Sequence, residues 1–201
     1  MTASDSSLVR VVHIDDDAAT LAALRRGLKR VWQPRDGVLQ LRSYTSAADA
    51  LGSLLTEPVA VVICDYRMPG MNGVELLRRV RELQPHTGRI LLSGSHELSF
   101  LLGAVNQAAV ARVLRKPWLD EELLEAVLHC LTLRQLQLEN AELADLLRVQ
   151  RGQLSPQAAH QRRLDSLRPE ITDIVCSASP PVPAGSSPAP AHSPATLIEA
   201  P

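Results

Sequence analysis

The sequence predicts a soluble α/β domain: a doubly wound, five-stranded parallel sheet with helices on both faces. Three observations lead there. Five short apolar runs alternate with amphipathic stretches over the first two thirds of the chain, the pattern of repeated strand–helix units. The runs near Val59 and Arg89 are almost wholly apolar, as expected of strands covered on both faces. The polar residues Asp15-Asp16, Asp65, Ser93 and Lys116 each directly follow one of these runs, where sites form beyond the carboxyl ends of parallel strands.

Leu8–Ile14 is apolar and β-branched and stops at Asp15-Asp16-Asp17, so it reads as the first strand. Leu21, Leu24, Leu28 and Val31 give Ala18–Val31 a helical period, closed by Pro34 and Gly37. Leu39–Tyr44 is a second strand. Ala47–Leu55 is a helix with Ser46 as its cap. Val59–Cys64 is a third strand, and Met68-Pro69-Gly70-Met71-Asn72-Gly73 a loop. Val74–Leu83 is a helix closed by Pro85. Arg89–Leu92 is a strand, Glu97–Gln107 a helix, and Val110–Leu114 the fifth strand. A long helix starts near Leu119.

The 201-residue chain is 45 % hydrophobic but only 2 % aromatic, so its core must be aliphatic. A net charge of −1 gives no electrostatic basis for binding nucleic acid or an anionic membrane. Cys64, Cys130 and Cys176 are odd in number and widely spaced, so neither a disulfide framework nor a zinc site is expected. The N-terminus lacks the basic and apolar regions of a signal peptide, and no apolar run is long enough to span a bilayer. A cytoplasmic protein is expected.

Carboxylates converging in one crevice repel one another unless a cation joins them. Mg²⁺ suits oxygen ligands. With the cation bound, Asp65 stays ionised and can act as a nucleophile toward phosphorus. Lys116 offers charge compensation from a second side, and the Ser93 hydroxyl can bond a phosphoryl oxygen. Bland readings stand beside these. Asp15-Asp16 could merely cap the first helix, as Asp17 is expected to do, and Lys116 alone could be a surface lysine. Cys64 and His13 read as core residues, and His96 as solvent-exposed.

The motifs Val12-His13-Ile14-Asp15-Asp16, Cys64-Asp65-Tyr66-Arg67-Met68-Pro69-Gly70-Met71-Asn72-Gly73, Leu91-Leu92-Ser93-Gly94 and Arg115-Lys116-Pro117 occur in that order. Together they resemble the receiver domain of two-component response regulators, over 8–131. The resemblance implies that Asp65 is the phosphoacceptor and that Asp16 binds Mg²⁺ directly, Asp15 mainly through water. It also implies that the Arg67 carbonyl completes the ligands and that the Lys116–Pro117 bond is cis. A histidine kinase or phosphotransfer protein would be the donor. Lys116-Pro117-Trp118 and the following acidic turn look like a subgroup found before HD-GYP phosphodiesterase or AAA+ output domains; no such domain is seen here. Many receivers carry a switch aromatic where this chain has Val113, so their hydroxyl–aromatic coupling does not transfer directly. Arg67 and Ser95 occupy positions that in the family tune acyl-phosphate lifetime.

The long helix continues past the expected domain end, and 126–154 reads as a helical extension, a candidate parallel coiled coil. A heptad places Ala126, Leu133, Asn140, Leu147 and Leu154 at a, and His129, Leu136, Leu143 and Gln150 at d. The seam leucines Leu133, Leu136, Leu143, Leu147 and Leu154 would contribute on the order of 10–20 kcal/mol gross per dimer, against roughly 4–15 kcal/mol for association. The alternative is a helix packing back on its own receiver. A short helix follows (155–168), then an Ala/Pro/Ser-rich tail (169–201) that cannot bury a core and is expected to be disordered. The leading expectation is a phosphorylation-controlled module acting on an unknown output partner or by homodimerisation, not an enzyme. The rivals are a scaffold that does not switch, and a haloacid-dehalogenase-type phosphatase. Arg67 argues against the phosphatase, because it stands where a second Asp is needed.

Overall fold

The computed structural model describes residues 8–33, 37–94, 106 and 108–166. One parallel sheet organises the domain, with strands β1 (Leu8–Ile14), β2 (Val38–Tyr44), β3 (Val61–Asp65), β4 (Gly88–Ser93) and β5 (Arg112–Arg115) in the order β2-β1-β3-β4-β5. This is the flavodoxin-like doubly wound order. It brings the C-terminal ends of β1 and β3 side by side, with Ile14 opposite Cys64 in register.

Two aliphatic layers cover the sheet. Alternate residues of each strand face opposite sides. Val12, Ile14, Val62, Cys64 and Leu91 therefore pack under α2 (Ala47–Thr56) and α3 (Gly73–Leu83). Val9, Val11, Ile63, Ile90 and Leu92 pack under α1 (Ala18–Val31) and α4 (Asp120–Gln150). Each such fully buried side chain stabilises the fold by roughly 1.5–3 kcal/mol. No aromatic residue is among the fully buried hydrophobic residues described, in keeping with the composition.

Local chemistry sets the boundaries. Asp17 caps α1 by accepting from the Ala19 and Thr20 amides, Ser46 caps α2 from Asp49, and Asn72 caps α3 from Glu75. The first turn of α4 has no side-chain cap; Asp120, Glu121 and Glu122 complement its dipole instead. β3 starts at Val61, two residues later than the apolar run predicts. The Val59 amide donates to Gln84 Oε1 (2.8 Å), which takes it out of the ladder. β5 begins at Arg112 because the chain turns through Ala109 (φ 47°) just before it.

The long helix differs from expectation at its end. α4 stops at Gln150, so Leu154, assigned to the seam, lies beyond the helix. Gly152 (φ 66°) closes it: the Gly152 and Gln153 amides donate to Val149 O (3.0 Å) and Arg148 O (2.8 Å), a Schellman motif. Helix α5 (Pro156–Ser166) follows, with Pro156 in its first position and Ser155 Oγ accepting from Ala158 N (3.1 Å). α5 doubles back along α4. Three of the seam leucines, Leu136, Leu143 and Leu147, are half exposed or more, so they do not pack on the receiver body. The expected Glu97–Gln107 helix (apart from Asn106), Ser95, His96, Cys176 and the tail lie outside the described residues. No described helix is long and apolar enough to cross a membrane.

Candidate functional site

The site sits at the C-terminal edge of the sheet. β1 runs directly into Asp15 and Asp16, β3 ends on Asp65, β4 ends on Ser93, and Lys116 immediately follows β5. Carboxylate oxygens of Asp15, Asp16 and Asp65 lie within 4.8 Å of one another. Asp15 and Asp65 are buried and Asp16 is exposed, so the cluster opens to solvent on one side.

Lys116 ties the two buried acids together, with Nζ 2.7 Å from Asp15 Oδ2 and 2.5 Å from Asp65 Oδ1. Backbone amides hold the remaining oxygens: Asp17 N donates to Asp15 Oδ1 and Arg67 N to Asp65 Oδ2, both at 2.9 Å. Each of these two buried carboxylates is thus oriented by the first residues of its own loop. Lys116 is itself held by its amide, which donates to Ser93 O (2.9 Å); the Lys116–Pro117 bond that follows is cis.

Electrostatics follow from burial and this pairing. Desolvation is the largest influence on Asp65 and raises its carboxyl above the ordinary value, although the Lys116 ammonium works the other way. Burial pulls the Lys116 ammonium down, but its hydrogen bonds to Asp15 and Asp65 outweigh that, and its pKa lies above the usual lysine value. Three carboxylates against one ammonium leave two negative charges when all are ionised. That is the donor set a hard divalent cation fits, and Mg²⁺ is the natural match to carboxylate oxygens plus water.

Ser93 is fully buried, and its Oγ donates to Gly94 O (3.2 Å). Val113 is half-buried against the α2/α3 layer and pairs with Leu91 in the sheet. Arg67 is exposed at the mouth, where Asp16, Tyr66, Met68 and Asn72 line a shallow open crevice. Asp17 is the α1 cap. Two supporting residues have no role in the motif reading. A Cβ on Gly73 would run into the Asp65 carbonyl oxygen, so only glycine lets α3 start this close to the end of β3. His13, two residues before Asp15, is wholly buried with neither ring nitrogen hydrogen-bonded. Burial, aided by Lys116, holds its pKa down at about 3. The Gly73 signal was present as the last residue of a turn motif; the burial of His13 was expected from its place in the first strand, but its lack of a hydrogen-bond partner had no signal in the sequence.

A doubly wound sheet with an acidic, lysine-bridged pocket at its carboxyl edge defines a class of phosphotransfer signalling modules. Residues 11–128 match the response regulator receiver domain, and the chain belongs to that family, the receiver of two-component signalling. It is 37 % identical over 117 residues to the hydrogenase transcriptional regulatory protein HoxA of Cupriavidus necator, covering 58 % of this chain and 23 % of that protein. It is 31 % identical over 137 residues to the response regulator protein TodT of Pseudomonas putida, covering 68 % and 57 %. The chain therefore spans about a quarter of HoxA and little more than half of TodT. Among solved structures, the signal receiver domain of an HD domain-containing protein from Pseudomonas fluorescens Pf-5 superposes with a TM-score of 0.59. It is 31 % identical, with 65 % of this chain and 92 % of that one covered.

Proposed function

We propose that the chain accepts a phosphoryl group on Asp65 from a histidine kinase or phosphotransfer protein and signals through its C-terminal half. The observation that carries this reading is the Lys116 bridge between Asp15 and Asp65 beside a cluster with spare negative charge. An Asp65 carboxylate oxygen attacks phosphorus and the phosphorus–nitrogen bond of the donor breaks. The leaving imidazole keeps the electron pair and takes its proton from solvent. Lys116 stays protonated throughout and offsets charge on the transferring group.

Mg²⁺ would be held by Asp15, Asp16, Asp65 and the Arg67 carbonyl, where it would neutralise phosphoryl oxygens. Ser93 would turn its hydroxyl to a phosphoryl oxygen once one is present, moving the loop that follows β4. Val113 cannot supply an aromatic ring to that movement, so the change would be read through the β5 and α4 surface. Output would run through α4, by binding an unknown partner or by homodimerisation. The activity is that of a phosphoacceptor in the cytoplasm, with no separate catalysis, nucleic-acid contact or membrane contact.

Acetyl phosphate with Mg²⁺ tests the core of this. A mass increase by one phosphoryl group that base and hydroxylamine remove is expected, lost in Asp65→Asn and on chelation with EDTA. An unlabelled wild-type protein, or label that survives Asp65→Asn, would overturn it.

A further inference from the structure

Where α4 leaves the sheet, Arg134 is partly withdrawn from water. Its ε-nitrogen is buried without a hydrogen bond, and among the described residues no carboxylate or carbonyl pairs with its guanidinium. Burial lowers its pKa below the ordinary arginine value, and no neighbouring charge offsets that. A cation taken out of water is normally paired, because its desolvation is otherwise uncompensated.

Arg134 lines a hollow of about 490 Å³. The loop before β3, the turn between α3 and β4, the outer part of α4 and the end of α5 enclose it. Arg148 of α4 and Arg162 of α5 line it too, and both reach the same carboxylate oxygen, Asp145 Oδ1, at 2.7 and 3.4 Å. The other acid on its wall, Asp165, accepts from Gln161 Nε2 (2.8 Å). With all of these ionised, the lining holds three guanidiniums against two carboxylates, and His86 adds an imidazole from the α3–β4 turn. Pro58, Pro85 and Ala144 give the same hollow an apolar side.

We propose that this hollow binds a phosphate monoester of a small organic molecule, with phosphoryl oxygens on Arg134 and the organic body against Pro58, Pro85 and Ala144. The uncompensated guanidinium selects an anion. Guanidiniums from two helices line the one hollow, and a tetrahedral phosphate offers oxygens in more directions than a planar carboxylate does. The volume falls within the roughly 300–1,000 Å³ of small-molecule sites. A ligand held by α4, α5 and the α3–β4 turn ties the helical hairpin to the receiver body. The hollow lies beside the amino ends of β3 and β4, at the opposite edge of the sheet from Asp65. It is separate from the phosphoacceptor pocket, so its test needs no phosphoryl donor and stands apart from the reading of Asp65.

The full chain is titrated with phenyl phosphate, inorganic phosphate and acetate at constant ionic strength, with EDTA present so that the acidic pocket holds no cation. Hydrogen exchange of the α5 amides is the readout. Phenyl phosphate slows that exchange and binds at least threefold more tightly than inorganic phosphate, whereas acetate has no effect. Arg134→Met keeps its helical circular dichroism, is more stable than the wild type without ligand because a buried unpaired charge is gone, and loses the response. Arg148→Gln, at a side chain half in water, weakens phenyl phosphate binding at least threefold. Asp65→Asn leaves the response unchanged. No slowing by either phosphate in the wild type, a response that Arg134→Met or Arg148→Gln leaves intact, a response lost in Asp65→Asn, or acetate as effective as phenyl phosphate would each overturn the proposal.

Discussion

His13 gives the sharpest quantitative prediction. It lies near the C-terminal end of β1, wholly buried, on the same side of the strand as Val9 and Val11, with no hydrogen bond at either ring nitrogen. Its pKa falls from 6.5 to about 3, chiefly through desolvation. In the unfolded chain the imidazole takes a proton below about pH 6.5, while the folded protein refuses it until about pH 3. The unfolded state thus binds more protons across this window, and stability falls as the pH drops through it. At about 1.36 kcal/mol per pKa unit, the cost at pH 5 is about 2 kcal/mol, and it is negligible at pH 7.5. His13→Leu keeps the volume and removes two unsatisfied nitrogens, each costing about 1–3 kcal/mol when buried. Urea unfolding of both proteins at pH 7.5 and pH 5.0, at constant ionic strength, is the assay. The variant should be the more stable at pH 7.5, and its advantage should widen by about 2 kcal/mol at pH 5.0. Parallel loss of stability in the two proteins between those pH values would refute the reasoning.

Lys116→Met should strengthen Mg²⁺ binding measured by calorimetry, because the ammonium no longer occupies Asp15 and Asp65, yet lower phosphoryl uptake from acetyl phosphate by at least tenfold, since compensation of the transferring charge is lost. Gln84→Leu should destabilise the domain by about 2–4 kcal/mol in urea unfolding. Gln84 accepts from the Val59 amide and donates to the Leu54 and Glu57 carbonyls, and the substitution strands all three. Gly88→Ala places a Cβ 2.5 Å from Cys130 Cβ, forcing α4 off the sheet at a cost of about 1–3 kcal/mol, read as a lowered Tm. Gly88→Ala with Cys130→Gly should recover much of that loss.

Much of this protein was legible along the chain because its strands are short and apolar and four of the five lead into a polar residue of the pocket. The alternation of elements required only hydrophobic period, and the pocket residues declared themselves by type and position: Asp15, Asp16, Asp65, Ser93 and Lys116. The heptad leucines were likewise visible as a period. The helix end was misjudged at Leu154, though Gly152 stood in view. A glycine after a leucine-rich run signals a stop only when it adopts the left-handed cap conformation itself, as Gly152 does (φ 66°), and heptad spacing masked it.

The sequence by itself determined which residues are apolar, where strands yield to loops, and which chemical groups are available at those points, because these depend on local order and composition. Tertiary structure alone decided which groups meet. The order β2-β1-β3-β4-β5 brings Asp15, Asp65 and Lys116, which is 101 residues from Asp15, within one hydrogen-bonded set. It also decided that His13 is dry and unpartnered, and that Gln84 closes the gap between α2 and β3. Finally, it decided that α5 takes one face of α4 while the leucine stripe stays in water. Each of these depends on contacts between segments far apart in the chain, and local pattern does not encode distance across a fold.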